Sequence, residues 1–211
     1  MRCRILRIAC ATALAVAFTV SLSQTAHASG VTAPSVPADI QAPPGNKAFL
    51  AGHAIGTQNY ICRPSGSGVA FVLFTPQATL FSGDDEQVTT HFFSPTPFRD
   101  NSNPAVVADG MIGATWQHSR DASTVWAKVN RSSSDPAFVA PGAVPWLLLE
   151  KTGAQDGPTG GDTLTATTFI QRVNTSGGVV PSTGCTSSTD VGNEAFVPYT
   201  ADYFFYKDDG N

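Results

Sequence analysis

The sequence predicts an all-β fold: a single-domain β-sandwich or flattened barrel of about eight or nine mainly antiparallel strands. Three observations carry this. Apolar, aromatic and β-branched residues alternate at a period of two in several segments, above all Thr163 to Val173 and Ala195 to Tyr206. Charged residues make up only 13% of the chain, against 19 Gly and 15 Pro, and low charge with frequent turn residues favours a β protein over a helical one. No segment shows a convincing amphipathic helical period. At eight or nine strands the sheet edges need closure, by two packed sheets or by a barrel.

The block from Leu164 to Tyr206 organises the rest. In its first strand, Leu164, Ala166, Thr168, Ile170 and Arg172 share one face, and Phe169, Gln171 and Val173 lie on the other. Gly177 and Gly178 supply a turn. In the second strand, Phe196, Pro198, Thr200, Asp202 and Phe204 share one face, and Val197, Tyr199, Ala201, Tyr203 and Phe205 the other. Neither face of the first strand is purely apolar, so both are expected to meet other parts of the protein.

Before that block the chain reads in order as follows. Arg2, Arg4 and Arg7 precede an apolar run from Ile8 to about Leu22, and Ala26-His27-Ala28 fits a cleavage site. Residues 1–28 therefore read as a secretory signal peptide, and the protein as secreted or periplasmic. Residues 29–46 form a Pro/Ala-rich extended leader, and 47–211 a single all-β domain. Lys47 to Cys62, Val69 to Thr75, Val88 to Phe93, Ala114 to His118, Ser123 to Asn130 and Pro145 to Glu150 are the remaining strand segments. Pro76 to Leu80 reads as a single turn, Ser94 to Gly110 as a long Pro/Asn-rich surface loop, and Lys151 to Asp162 as a Gly-rich connection. The strand at Pro145 to Glu150 is apolar throughout, as expected for burial on both sides.

Removal of residues 1–28 takes three arginines and no acid, leaving nine basic against sixteen acidic residues, a formal charge of −7. That disfavours nucleic acid and anionic membrane surfaces as partners. No second long apolar run exists to span a membrane. Cys3 and Cys10 leave with the signal. Cys62 and Cys185 then remain alone in an oxidising compartment and are expected to form a disulfide. Its long loop puts the chain-entropy contribution at about 5 kcal/mol, an upper-end figure.

Several segments together carry a resemblance. They are Val36-Pro-Ala-Asp-Ile40, Gly56-Thr-Gln-Asn-Tyr-Ile-Cys62, Thr115-Trp116, Pro145-Trp-Leu-Leu-Leu149, Ile170-Gln-Arg-Val-Asn-Thr-Ser-Gly-Gly178 and Val197-Pro-Tyr-Thr-Ala-Asp-Tyr-Phe-Phe-Tyr206. They resemble a secreted bacterial and fungal family catalogued as domain of unknown function 3455, over nearly the whole mature chain. In that family's pattern a His precedes Thr-Trp after a short stretch; here His91 is separated from Thr115-Trp116 by the Pro/Asn-rich loop. The resemblance implies no established activity. A dehydrogenase is not expected, because no Gly-x-Gly-x-x-Gly follows a strand.

The candidate ligand-binding residues are Gln58, Tyr60, His91, Trp116, His118, Arg172, Tyr199 and Asp202. Aromatic faces with hydrogen-bonding tips suit a polar ligand by stacking, although core packing explains them as well. Arg172 and Asp202 sit on the two strands of the central block, where an ion pair would be structural. His53, His91 and His118 have no close spacing, so a shared metal site is disfavoured. The run Asp84-Asp85-Glu86 lacks the pattern of a calcium loop. No Gly-x-Ser-x-Gly frame or assignable carboxylate pair exists. No cofactor or metal is implied. The expected function is a non-catalytic binding or envelope-associated module, with an unknown polar ligand or a cell-envelope component as partner. The alternative is a secreted hydrolase or metal-dependent enzyme using His91 or His118 with nearby acids.

Overall fold

The computed structural model describes residues 30–95 and 112–210. The expected signal peptide and most of the Ser94 to Gly110 loop lie outside the described residues. Eight strands follow in chain order: β1 (Asn46–Ser65), β2 (Gly68–Phe81), β3 (Gln87–Pro95), β4 (Ile112–His118), β5 (Thr124–Ser133), β6 (Trp146–Gln155), β7 (Thr167–Gly177) and β8 (Glu194–Asp208). Each pairs antiparallel with the next, and β8 pairs back onto β1, so the sheet is a closed up-and-down barrel. Of the two expected architectures, the barrel is the one formed. Closure leaves no edge strand, which is how a chain with so few surface charges avoids exposing unpaired backbone.

The alternation read from the sequence sets the two faces. Tyr199, Ala201, Tyr203 and Phe205 of β8 point inward, with Ala54, Leu80, Trp116, Val125, Leu149 and Ile170, into the main core. Asp202 and Phe204 point outward. A second core lies outside the barrel. There Val36 and Ile40 of the leader pack with Val139, Trp146, Leu148, Val173 and Phe204. Ile40 ends a 3₁₀ turn, Ala38–Ile40, and is fully buried. Its carbonyl accepts a 2.7 Å hydrogen bond from Gln171 Nε2, whose Oε1 accepts from the Tyr206 hydroxyl. The leader is thus fastened to the outer face of β7 and β8. The strand around Trp146 to Leu149 is buried on both faces because one face meets each core.

Three local expectations are corrected. Pro76 to Leu80 is not a turn; it continues β2, opposite Gln58 to Ala54 of β1. The β2–β3 ladder begins only at Ala78, so Pro76 withholds no N–H from it. Ser94 belongs to β3 rather than to a loop, and its hydroxyl accepts a 2.9 Å hydrogen bond from Trp126 Nε1. The strand expected from Thr163 starts at Thr167, because Leu164 sits in a turn closed by hydrogen bonds from Thr165 N to Asp162 O and from Thr167 N to Leu164 O. Leu164 is fully buried and caps one end of the barrel. Burying a leucine in this way is worth roughly 2 kcal/mol.

The capped end is held by Asp121, in the β4–β5 hairpin. Its carboxylate accepts hydrogen bonds from Ser123 N (2.9 Å) and Oγ (2.7 Å), and from Thr163 N (3.1 Å) and Oγ1 (2.6 Å). Burial opposes ionisation, but these four bonds outweigh it and hold the carboxyl well below the usual carboxylate range. Gly157 and Gly161 let the β6–β7 loop close over this hub: a Cβ on Gly157 would stand 1.7 Å from Asp121 O.

Candidate functional site

The opposite half of the barrel is not filled. An eight-stranded barrel is just wide enough for side chains to fill or for one small ligand. Ala114 of β4 and Ala127 of β5 stand opposite one another with small side chains, and a cavity of about 230 Å³ results. Its walls are Leu73, Phe93, Ala114, Ala127, Leu147 and Leu149, with Ile112 and Val129 at the rim. Leu73 is 45% exposed, Ile112 42% and Val129 55%, so the mouth is an apolar collar open to solvent.

The floor is polar. Gln58 of β1, His91 of β3, Trp116 of β4, Arg172 of β7 and Tyr203 of β8 all line it, and all are buried. His91 stacks on Trp116, with ring centroids 4.1 Å apart and planes 7° from parallel. Tyr203 and Phe205 meet Trp116 edge-on. His91 Nδ1 lies 2.9 Å from Thr115 O. A carbonyl only accepts, so Nδ1 carries the proton and Nε2 presents a bare lone pair. Burial pushes the His91 pKa down to about 3, against the pull of the Thr115 carbonyl and with help from Arg172. The ring is therefore neutral near pH 7.

Arg172 donates from its terminal nitrogen to Pro145 O at 2.9 Å. Its Nε is buried without a partner, as is Trp116 Nε1, whereas Gln58 has the Tyr199 hydroxyl beside it as a poorly aligned acceptor. Two donors on residues that line one cavity thus lack acceptors. Buried donors left unsatisfied cost about 1–3 kcal/mol each. Tyr199 and Tyr203 stand beside the guanidinium with their hydroxyls 3.3 Å apart. Burial raises both pKa values, so both phenols are neutral.

The structure brings together four of the eight candidates at the cavity: Gln58, His91, Trp116 and Arg172. Tyr199 buttresses the floor through Tyr203. Tyr60 is structural, its hydroxyl donating to Gly178 O at 2.6 Å. The neighbouring Cys62 and Cys185 are bonded, with Cα atoms 5.4 Å apart. This bridge ties the long β1 arm to the β7–β8 loop. His118 and Asp202 lie elsewhere. His118 Nδ1 is 3.0 Å from Asp121 Oδ1 at the capped end. Asp202 is outside the barrel, bound by His53 Nδ1 (2.7 Å) and Asn174 Nδ2 (2.8 Å). The Arg172–Asp202 pair does not form: Arg172 lies opposite Tyr203 and Asp202 opposite Val173, so the two side chains leave opposite faces of the sheet. His53, His91 and His118 occupy three separate environments. No group of three His, Cys, Asp or Glu side chains stands at metal-holding distance among the described residues.

Sequence reasoning missed the apolar half of the site. Leu73, Phe93, Leu147 and Leu149 looked like ordinary strand residues, and only barrel closure turns them toward one space. It also missed Asp121; the Asp-x-Ser spacing to Ser123 was the available signal.

No curated protein and no solved structure matches the chain. The family model described as "Protein of unknown function (DUF3455)" matches residues 43–207, from the entry to β1 to the end of β8. The match spans the whole barrel, including every residue of the polar floor, and the chain belongs to this family.

Proposed function

We propose that the protein is a non-catalytic binding module that holds a small, largely apolar molecule inside its barrel. One observation carries this reading: Trp116 and Arg172, each with a buried donor that has no partner, stand with Gln58 at the floor of a cavity whose walls are apolar. Apolar walls with a few convergent polar groups are the usual make-up of a ligand site. The cavity admits roughly ten non-hydrogen atoms, at the volume such atoms occupy in liquids, which suits a small molecule better than an envelope polymer. The enzyme alternative has less support. His118 is engaged by Asp121 at the far end, and no carboxylate lines the cavity among the described residues to work with His91. A secreted or periplasmic setting accords with the Cys62–Cys185 bridge.

The test is calorimetric titration with 3-phenyl-1-propanol, a neutral probe of the right size. At about 0.4 kcal/mol per non-hydrogen atom, a Kd near the millimolar range is expected. Ala114→Phe fills the cavity from its wall and should abolish binding while the fold is retained. A wild-type protein that binds neither this alcohol nor the acid and amine of the same skeleton, up to their solubility limits, refutes the reading.

A further inference from the structure

We infer that the ligand of this cavity is an anion, a small apolar acid whose carboxylate meets Arg172. The inference rests on the binding reading above and adds the charge class. Three features of the cavity carry it.

Arg172 is a guanidinium only 9% exposed, and its acceptors among the described residues, the Pro145 carbonyl and the Tyr203 hydroxyl, are both neutral. The ion pairs found among those residues all lie elsewhere. A buried cation without a counter-charge is costly, and a protein that keeps one normally supplies the anion from somewhere. Among the described residues the neighbouring groups do not supply it. Tyr199 and Tyr203 are neutral phenols, and His91 is a neutral imidazole.

The cavity's charge also runs against that of the molecule. The chain carries more acids than bases, 16 against 12. Yet the charged residues that line this cavity are Arg172 inside and Lys128 at the exposed rim, with no acid among the described lining residues. Inside the cavity the one charge among the described lining residues is thus positive, which favours an anion there.

The orphaned groups match a carboxylate in chemistry. Arg172 Nε and Trp116 Nε1 are buried donors without acceptors on residues that line the cavity, and a carboxylate is acceptor-only with room for about four donors. A guanidinium offers two parallel N–H groups to it. The apolar walls would take the rest of the acid.

The experiment is a matched titration at pH 7 with 3-phenylpropanoate, 3-phenyl-1-propanol and 3-phenylpropylammonium, which differ only in the head group. The acid should bind about 10- to 100-fold tighter than the alcohol, the usual advantage of charge-assisted hydrogen bonds, and the ammonium weakest. Arg172→Met, which keeps the apolar stem, should erase the preference for the acid, and its circular dichroism and urea unfolding report the fold. Arg172→Lys should restore part of the preference. If Arg172→Met does not fold, the wild-type ranking alone decides. Equal affinity for acid and alcohol, or a preference for the ammonium, overturns the anion inference and leaves the binding module standing. Failure of all three probes to bind overturns both.

Discussion

His91 makes the barrel acid-sensitive from about pH 6.5 downward, before its depressed carboxylates begin to act. Its imidazole is buried between Trp116 and Tyr203, and its pKa falls to about 3 in the folded protein. In the unfolded chain it returns to about 6.5. The folded state therefore refuses a proton that the unfolded state accepts. The stability gained from neutral His91 is fully present above pH 6.5 and is lost progressively as pH falls towards 3. Over the whole window the loss approaches 5 kcal/mol on an order-of-magnitude basis, at about 1.4 kcal/mol per pH unit. Between pH 7.5 and pH 5 it amounts to about 2 kcal/mol. Carboxylates with depressed pKa values, such as Asp121, act lower, as pH falls through about 4. The assay is urea unfolding of wild type and His91→Gln at both pH values. The variant starts less stable, since it loses the stack and alters the bond to Thr115 O, but it carries no imidazole to titrate. Wild type should lose about 2 kcal/mol more than the variant on going from pH 7.5 to 5, or some 4–8 °C in Tm for a domain of this size. Parallel losses in the two proteins would show that His91 is not held neutral by burial, and the reasoning would fail.

Three further outcomes follow from the packing. Cys62→Ala should cost roughly 2–5 kcal/mol, and alkylation of the unfolded, unreduced wild-type protein should find no free thiol at Cys62 or Cys185; free thiols at both would exclude the bridge. Asp121→Ala strands Ser123 N and Oγ and Thr163 N and Oγ1, so a loss of about 2–4 kcal/mol is expected, with Leu164 exchanging its amide hydrogen faster as the capped end opens. Ile40→Ala empties the contact between leader and barrel and should cost about 2–4 kcal/mol, whereas a change under about 0.5 kcal/mol, the usual surface value, would mean that the leader does not dock.

The sequence by itself determined the class of fold, the pairing of cysteines and the faces of the strands. Period-two alternation is local physics. Once Tyr199, Ala201, Tyr203 and Phe205 fall on one side of β8, the core face is decided without any knowledge of what they meet. The cysteine pair is determined by subtraction, because only two remain after the expected signal. Four of the eight candidate ligand residues reached the cavity, since large polar and aromatic side chains on inward positions of a small barrel have nowhere else to go.

Only the tertiary structure decided the rest, because each remaining feature depends on strand order and register. Barrel rather than sandwich was settled by the ladder between β8 and β1, the most distant strands in the chain. Arg172 and Asp202 look like partners in a list of residues, yet register sets Arg172 against Tyr203, and one residue of offset sends the two charges to opposite faces. Leu164 fits a strand by its neighbours but caps the barrel because Asp121, more than forty residues earlier, holds its turn. The cavity itself is a deficit of volume, shared between Ala114 and Ala127, which register sets opposite one another. Small residues are unremarkable one at a time, and a void exists only where several of them converge on one interior layer.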